Sequence, residues 1–401
     1  MIPFKNPEKV DDVFCKVLTP NDDSGRHGVL IPVFAYRLFP DFIGYDPLSA
    51  TNYEASITTH WDESEGWSQK DSKWKHYHRY PERRMTSLSP ELLNTKPKNS
   101  LLIVGKYKDL YEYECIIIHP TDPWYLPIGT GLFHFDLDQE KVSGLSAIFP
   151  YSELVGKIDG PSVLDELVAK VKEISNRGFV PSMRSGDTGV GFTFESLLGI
   201  KANSGKEPDY NGIEIKCSRS NKPKNKRTAQ TGKQTLFALV PNWGVAGDRK
   251  GLVQSYGYWD ESRERTALYC TIKIAENNLG WKLEVVESEG KIYVCKHGER
   301  IVQYEMSDLE AALESKHKES IFITAHATKL ASGEEAFHYD SLVHAKEVLF
   351  KEFIALIKEN VIGLDFAIHM KEGKARDHGF LWRLENKKHL LRLFKYVVEL
   401  Y

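Results

Sequence analysis

Cysteine is scarce in this sequence, and long apolar runs are missing altogether. The five cysteines (Cys15, Cys115, Cys217, Cys270 and Cys295) stand far apart with no C-x-x-C pair. An odd, scattered set excludes a disulfide framework or a cysteine zinc site, and it suits a reducing, cytoplasmic setting. No stretch approaches the roughly 18 consecutive apolar residues that a membrane span requires. The opening Met1-Ile2-Pro3-Phe4-Lys5-Asn6 has no basic segment followed by an apolar one, so no secretory leader is expected. Internal repeats and low-complexity tracts are absent. A strong excess of one charge is lacking too: 53 basic against 56 acidic residues leave a net charge of −3, which argues against a simple polyanion binder.

What is present points to a folded protein of more than one domain. A chain of 401 residues exceeds one ordinary core and fits two. The neutral average also hides local structure. Arg219, Lys222, Lys224, Lys226 and Arg227 crowd one short stretch, and Lys70 to Arg84 interleaves basic residues with Trp74, His76, Tyr77, His78 and Tyr80. Cations among aromatics supply phosphate contact and base or sugar packing, although a solvated loop has the same composition.

Up to about residue 150, short apolar runs alternate with turn signals: Val29–Phe34, Ser56–Trp61, Ser100–Val104 and Tyr111–His119. This spacing predicts an all-β barrel or sandwich. After Asp159-Gly160-Pro161, Ser162 is a candidate N-cap, and Leu164, Leu167, Val168, Val171 and Ile174 follow at helical spacing until Gly178. The boundary is therefore placed between residues 1–155 and 162–401. The second part reads as α/β. Helices are expected at Phe192–Leu198, from about His344 to Glu359, and at Lys387–Leu400. Strands are expected at Ile213–Cys217, Ala267–Ile274, Trp281–Val286, Lys291–Lys296, Ser320–Ala325 and Gly363–His369.

The most informative segment is Pro208-Asp209-Tyr210-Asn211-Gly212-Ile213-Glu214-Ile215-Lys216. Residues two apart on a strand share a face, so Glu214 and Lys216 point one way while Ile213 and Ile215 fill the other. Two carboxylates, Asp209 and Glu214, with the Ile215 carbonyl make a hard oxygen site suited to Mg²⁺. A Lys ammonium beside them orients an attacking water and stabilises charge developing on a phosphate. Three such fixed positions recur by chance in roughly one chain of this length in ten, so the motif needs its context.

That context is Met183-Arg184-Ser185-Gly186-Asp187-Thr188-Gly189-Val190-Gly191-Phe192-Thr193-Phe194-Glu195-Ser196-Leu197-Leu198-Gly199. Together the two segments resemble the MvaI/BcnI restriction endonucleases and, more distantly, MutH-type mismatch-repair nickases, within the PD-(D/E)XK nuclease superfamily. Gly186, Gly189, Gly191, Glu195, Leu197 and Leu198 match that pattern, as do Pro208, Asp209, Glu214 and Lys216. The resemblance gives Glu195, next to the core-facing side of its helix, a supporting role at the metal cluster. Downstream, Gly373-Lys374-Ala375-Arg376-Asp377-His378-Gly379-Phe380-Leu381-Trp382-Arg383 is similar to the family's DNA-reading H-D-H-G-T-A-F-R segment. Asp377, His378, Gly379 and Arg383 match; Arg376, Phe380, Leu381 and Trp382 depart. Arg383 suits guanine O6 and N7, and Asp377 can accept from cytosine N4 or hold an arginine. Ala367 stands where the family has an arginine. The resemblance covers about residues 165–400.

Near the start, Lys16, Leu18, Thr19, Asn21, Asp22, Gly25, His27, Ile31 and Pro32 resemble the effector domain of EcoRII-type enzymes, a DNA-binding pseudobarrel. The resemblance implies two arms in the major groove: Asn21, Asp22, Arg26 and His27 on one, and Arg79, Glu82, Arg83 and Arg84 on the other. As a plain alternative, Asn21–Gly25 is an ordinary Asx turn and His27 a structural histidine. The insertion around Trp61–Lys75 has no counterpart.

Taken together, the expectation is an N-terminal pseudobarrel fused to a PD-(D/E)XK nuclease. Such a protein is a monomeric type IIE-like restriction endonuclease that cuts duplex DNA at a CCWGG-like site with Mg²⁺. It binds two sites at once and works beside a companion DNA methyltransferase. Three rivals stay open: a MutH-like nickase, a modification-dependent endonuclease, and a DNA-binding regulator on an inactive nuclease fold. The intact Asp209/Glu214/Lys216 set speaks against the last.

Overall fold

A computed structural model describes residues 4–47, 49–134, 142–156, 163–186, 188–200, 209–210, 212–220 and 233–400. The candidate cap Ser162 with its preceding Asp159-Gly160-Pro161, together with Asp187, Pro208, Asn211 and the basic residues from Lys222 to Arg227, lies outside them. By compactness the chain forms two units. The first comprises Met1–Lys226, Glu319–Lys346 and Phe394–Tyr401; the second comprises Arg227–Lys318 and Glu347–Leu393. This division groups the N-terminal strands with the segment that carries Asp209 to Lys216, and does not coincide with the expected boundary near residues 155–162.

Within the first unit one sheet runs through both kinds of strand. It starts at the edge with Glu214–Ser220, which pairs in parallel with Glu319–Lys329, itself antiparallel to Glu335–Val348. Next come Phe394–Leu400, Ser146–Pro150 and Val10–Val17. Then follow Leu101–Tyr107, Glu112–Ile118, Tyr53–Glu63, Gly66–Tyr77, Glu82–Thr86 and Val29–Ile31. The segment Trp61–Lys75, unassigned from sequence, closes the Tyr53–Tyr77 hairpin, whose alternating burial places Trp61 and Trp74 inside. Phe39 stacks on Trp74 at 4.2 Å between ring centroids. The helix Val163–Asn176 forms on the predicted stripe, burying Leu167, Val168, Val171 and Ile174, and Gly178 ends it at φ +68°. That stripe packs with Phe194, Ile213, Ile215, Ile321, Ile323 and Phe337 in one core.

The second unit holds a five-stranded sheet in the order Gln234–Ala238, Lys374–Leu384, Ile362–Lys371, Arg265–Ile272, Tyr258–Asp260. A separate meander joins Trp281–Val286, Lys291–Lys296 and Glu299–Glu305. Helices Arg249–Tyr256, Met306–His317 and Phe350–Lys358 belong to this unit. Trp281, Trp382, Phe353, Phe366, Phe380 and Tyr304 are all buried. Among the described residues no helix is long and apolar enough to cross a membrane.

Three expected elements are corrected. The run Val29–Phe34 is a strand only to Ile31; Pro32, which lacks an N–H for the ladder, introduces a 3₁₀ segment Val33–Leu38. His344–Glu359 is not one helix: the strand Glu335–Val348 continues through His344, and the helix is Phe350–Lys358. Lys387–Leu400 is a 3₁₀ segment Lys387–Leu393 followed by the strand Phe394–Leu400. There sheet pairing with Ser146–Pro150 overrides an apolar pattern that also fits a helix.

Candidate active site and DNA-facing elements

The chemistry-bearing strand is shaped by a turn just before it. Tyr210 and Ile213 exchange backbone hydrogen bonds of 3.0 and 2.8 Å around Gly212, whose φ of +94° favours glycine. The turn returns Asp209 to the strand, where its Oδ2 accepts the Ile215 N–H at 2.9 Å. Ile213 and Ile215 are buried in the core, while Lys216 pairs with the Glu214 carboxylate on the opposite face. Glu214 is only 5% exposed, with the Lys216 ammonium as its partner.

Glu195 comes to this cluster from the helix Gly189–Leu197, whose Phe194 is fully buried. Burial first, then the negative charge of Asp209, pushes the Glu195 carboxyl above its usual range; Lys216 opposes this and Glu214 adds to it. Burial, and then the Glu195 and Asp209 carboxylates, push the Cys217 thiol up.

Do these residues fit a divalent cation? Among the described residues, no three His, Cys, Asp or Glu side chains form a ready cage. The set expected here is smaller, two carboxylates and one backbone carbonyl. The N–H and C=O of one strand residue point the same way. Because the Ile215 N–H is bonded to Asp209 on the open edge of the sheet, its carbonyl lies on that same edge. Hard oxygens under mutual repulsion fit a hard cation.

In the second unit, Arg383 Nη1 donates to Asp365 Oδ2 at 2.9 Å, and Asp365 Oδ1 accepts from Thr271 at 2.6 Å. Lys233 approaches Asp365 at 3.7 Å and pairs with Glu385 at 2.9 Å. Asp377 and Arg383 do not share a face. Phe380 pairs with Phe366 and Asp377 with Ile368, so His378 and Gly379 together oppose Ala367. Such a bulge turns the strand over, and Gly379 absorbs it at φ +99°. Arg376 and His378 are thereby brought to the face of Arg383, and both are exposed. Asp377 faces the other way, with Arg249 Nε 2.5 Å from its Oδ2 and the Gly379 N–H bonded to Oδ1 at 3.2 Å. Arg249 was not singled out in the sequence; nothing local marks it.

The N-terminal arm residues divide into exposed and internal. Asn21, Arg26, His27 and Arg79 are exposed. Asp22 is 2% exposed and points inward, accepting from Lys16 Nζ at 2.7 Å, the Thr19 N–H at 2.7 Å and hydroxyl at 2.8 Å, and the Leu30 N–H at 3.2 Å. Asp23, which sequence reasoning passed over, accepts the N–H groups of Gly25, His27 and Gly28 and pairs with His27 Nδ1 at 2.8 Å. Gly28 is required there, since a Cβ would lie 2.3 Å from the Met85 carbonyl oxygen. Arg84 joins the two arms, donating to the His27 carbonyl at 2.8 Å and to Glu82 at 2.8 Å. The Arg83 guanidinium packs among Tyr36, Phe42 and Tyr45, 4.5–4.9 Å from each ring centroid.

Comparison with known proteins adds the following. The model of the MvaI/BcnI restriction endonuclease family matches residues 168–394, more than half of the chain. None of the curated proteins matches. Among solved structures, restriction endonuclease MvaI with cognate DNA is 23% identical, over 60% of this chain and 99% of that one, with a TM-score of 0.49. MvaI without DNA is 22% identical over the same shares, with a TM-score of 0.40. The B3 domain of the UbaLAI restriction endonuclease with cognate DNA is 31% identical, covering 35% of this chain and 88% of that one, with a TM-score of 0.27.

Proposed function

The chain belongs to the MvaI/BcnI restriction endonuclease family, DNA-binding site-specific deoxyribonucleases that generally use divalent metal ions, and from this premise we propose how its residues do the work. Asp209, Glu214 and the Ile215 carbonyl would hold Mg²⁺, which would supply Lewis acidity at the scissile phosphate. Lys216, beside Glu214, orients the attacking water and stabilises charge building on the phosphate oxygens. Attack in line breaks the P–O3′ bond and leaves 5′-phosphate and 3′-hydroxyl ends. Glu195 supports the cluster from its helix. The observation that carries this reading is the convergence of three carboxylates and one lysine, with the Glu195 carboxyl displaced upward by burial and its neighbours.

Arg383, Arg376 and His378 meet the duplex on the strands that follow, and Asp377 holds the bulge against Arg249. Residues 162–401 act as the PD-(D/E)XK nuclease, and residues 1–155 act as an effector pseudobarrel that binds a second copy of the site. Its arms present Asn21, Arg26, His27, Arg79, Glu82 and Arg84, with Asp22 and Arg83 shaping them from behind. The Arg84 link between the arms and the exposure of Arg26 and His27 support this role. Both modules resemble readers of CCWGG-like sequences, and one monomer cuts one site while a second site stimulates it. A companion methyltransferase completes the system.

Plasmids carrying one and two CCWGG sites test the reading, each with and without C5 methylation of the site's cytosine. Faster cleavage of the two-site, unmethylated plasmid is expected. Equal rates on both plasmids would remove the effector role. Cleavage confined to methylated DNA would replace the reading with a modification-dependent enzyme, and nicked circles without linear product with a nickase.

A further inference from the structure

Three flat rings lie in a row across the sheet of the second unit, none of them absorbed by the contacts above except His378. Tyr269 on Arg265–Ile272, His369 on Ile362–Lys371 and His378 on Lys374–Leu384 occupy three adjacent strands. The Tyr269 hydroxyl is 3.1 Å from His369 Nδ1, and the two rings are nearly parallel at 14°. His369 in turn stacks on His378, with centroids 5.9 Å apart at 30°. The bulge at Gly379 makes the third ring possible, since it turns His378 onto this face.

The arrangement is preorganised and cationic at its rim. Engagement of Nδ1 by Tyr269 leaves His369 Nε2 as its outward polar atom. Arg265 lies 5.3 Å over the Tyr269 ring and is braced by Asp260 at 3.3 Å. Arg376 pairs opposite His369, and Arg263 is largely exposed nearby. Burial, and then the charges of Arg265, Arg376 and Arg263 with His378 beside them, hold the His369 imidazole below its usual range. A fixed neutral imidazole ringed by arginines matches an uncharged base edge flanked by phosphates, not an anion or a metal.

Position along the strand adds a register. Tyr269 pairs opposite Ala367, Thr271 opposite Asp365, and Gly363 opposite Arg383, so the ring row and the Arg383–Asp365 pair share one face. His369 lies four residues from Asp365, roughly 13 Å at strand rise.

We propose that Tyr269 and His369, with His378, form a second specificity-determining cluster that reads a base edge at a different position from the one facing Arg383. This rests on the reading that the Arg383 face meets the duplex. Tyr269 sets the orientation of His369 and is a positioning residue; His369 Nε2 and the His378 ring make the contact.

The test is cleavage of a library randomised across the site and its flanks, with the ends sequenced to give relative kcat/KM at each position. It compares the full-length wild type with Tyr269→Phe, His369→Gln, His369→Ala and Arg383→Ala, each checked by thermal melting. Discrimination is expected to fall roughly tenfold at one position in His369→Ala. A smaller fall at the same position is expected in Tyr269→Phe, a partial rescue in His369→Gln, and a change at a different position in Arg383→Ala. If Arg383→Ala changes the profile while the Tyr269 and His369 variants keep the wild-type profile, the proposal is overturned. A uniform loss across all sequences in those variants overturns it too, assigning them a structural role. If no variant, Arg383→Ala included, alters the profile, the underlying reading of this face fails.

Discussion

Carboxylates are treated in opposite ways at the N-terminal arm and at the strand that carries Glu214. In the arm, Asp22 accepts from a lysine, a hydroxyl and two backbone N–H groups. Asp23 is raised by burial, yet the N–H groups of Gly28 and His27 and the His27 ring hold it below the usual carboxylate range. Nearby in the same unit, fully buried Glu114 accepts from Lys5, Asn6 and Tyr107. These groups are satisfied, and the fold is what they serve. Around Glu195 the balance reverses: burial, and then the charge of Asp209 with Lys216 opposing it and Glu214 adding to it, displaces the carboxyl upward. Satisfied carboxylates mark architecture, and frustrated ones mark chemistry that another charge must complete.

Replacing one member of each class sharpens that contrast. The largest effect is expected from Glu214→Gln, which removes an oxygen donor with little change of shape. Its cleavage rate should fall by roughly 10³-fold while binding to DNA is kept. A rate within a few-fold of wild type instead would move Glu214 to the satisfied class. Asp22→Ala should do the reverse, leaving Lys16 buried without its anion and costing about 3–5 kcal/mol of stability by denaturant titration. A cost below about 1 kcal/mol would show that the arm does not depend on the pair.

The smallest effect belongs to Glu195→Gln and is one of pH. A carboxyl raised in the folded state binds its proton more tightly there than in the unfolded chain. Its favourable contribution is therefore present at low pH and lost as pH rises through the folded value. Glutamine cannot ionise, so at neutral pH and without metal the variant should melt about 2 °C higher than wild type. The gap should narrow as pH falls through the raised folded value and be closed below the ordinary glutamate range, and cleavage by the variant should be roughly tenfold lower than wild type. Parallel melting curves at every pH would contradict the crowding.

Most of the proposed chemistry is legible in the sequence because it is local. Asp209, Glu214 and Lys216 lie within eight residues, and a period of two assigns their faces without knowledge of the sheet. The family resemblance supplied Glu195, which no local period connects to them. What escaped was non-local. The face shared by Arg376, His378 and Arg383 depends on one bulge, and Asp377 points away from it for the same reason. Asp22, an arm or turn residue by sequence, is internal because Lys16 and the Leu30 backbone close over it. The strand Phe394–Leu400 was read as a helix because Leu390, Leu393, Phe394, Val397 and Leu400 also fit that period; only its neighbour in the sheet decides.

The central claim is that the frustrated cluster is a metal-dependent phosphodiesterase site, and Lys216→Ala addresses it most directly. Purified wild type and variant would be incubated with a plasmid carrying CCWGG sites, in Mg²⁺ and in EDTA, with binding to the same DNA measured in parallel. Discrete fragments from the wild type in Mg²⁺ alone, and none from a variant that still binds DNA, are predicted. Fragments of the same size and yield from the variant would contradict the account and place the chemistry elsewhere.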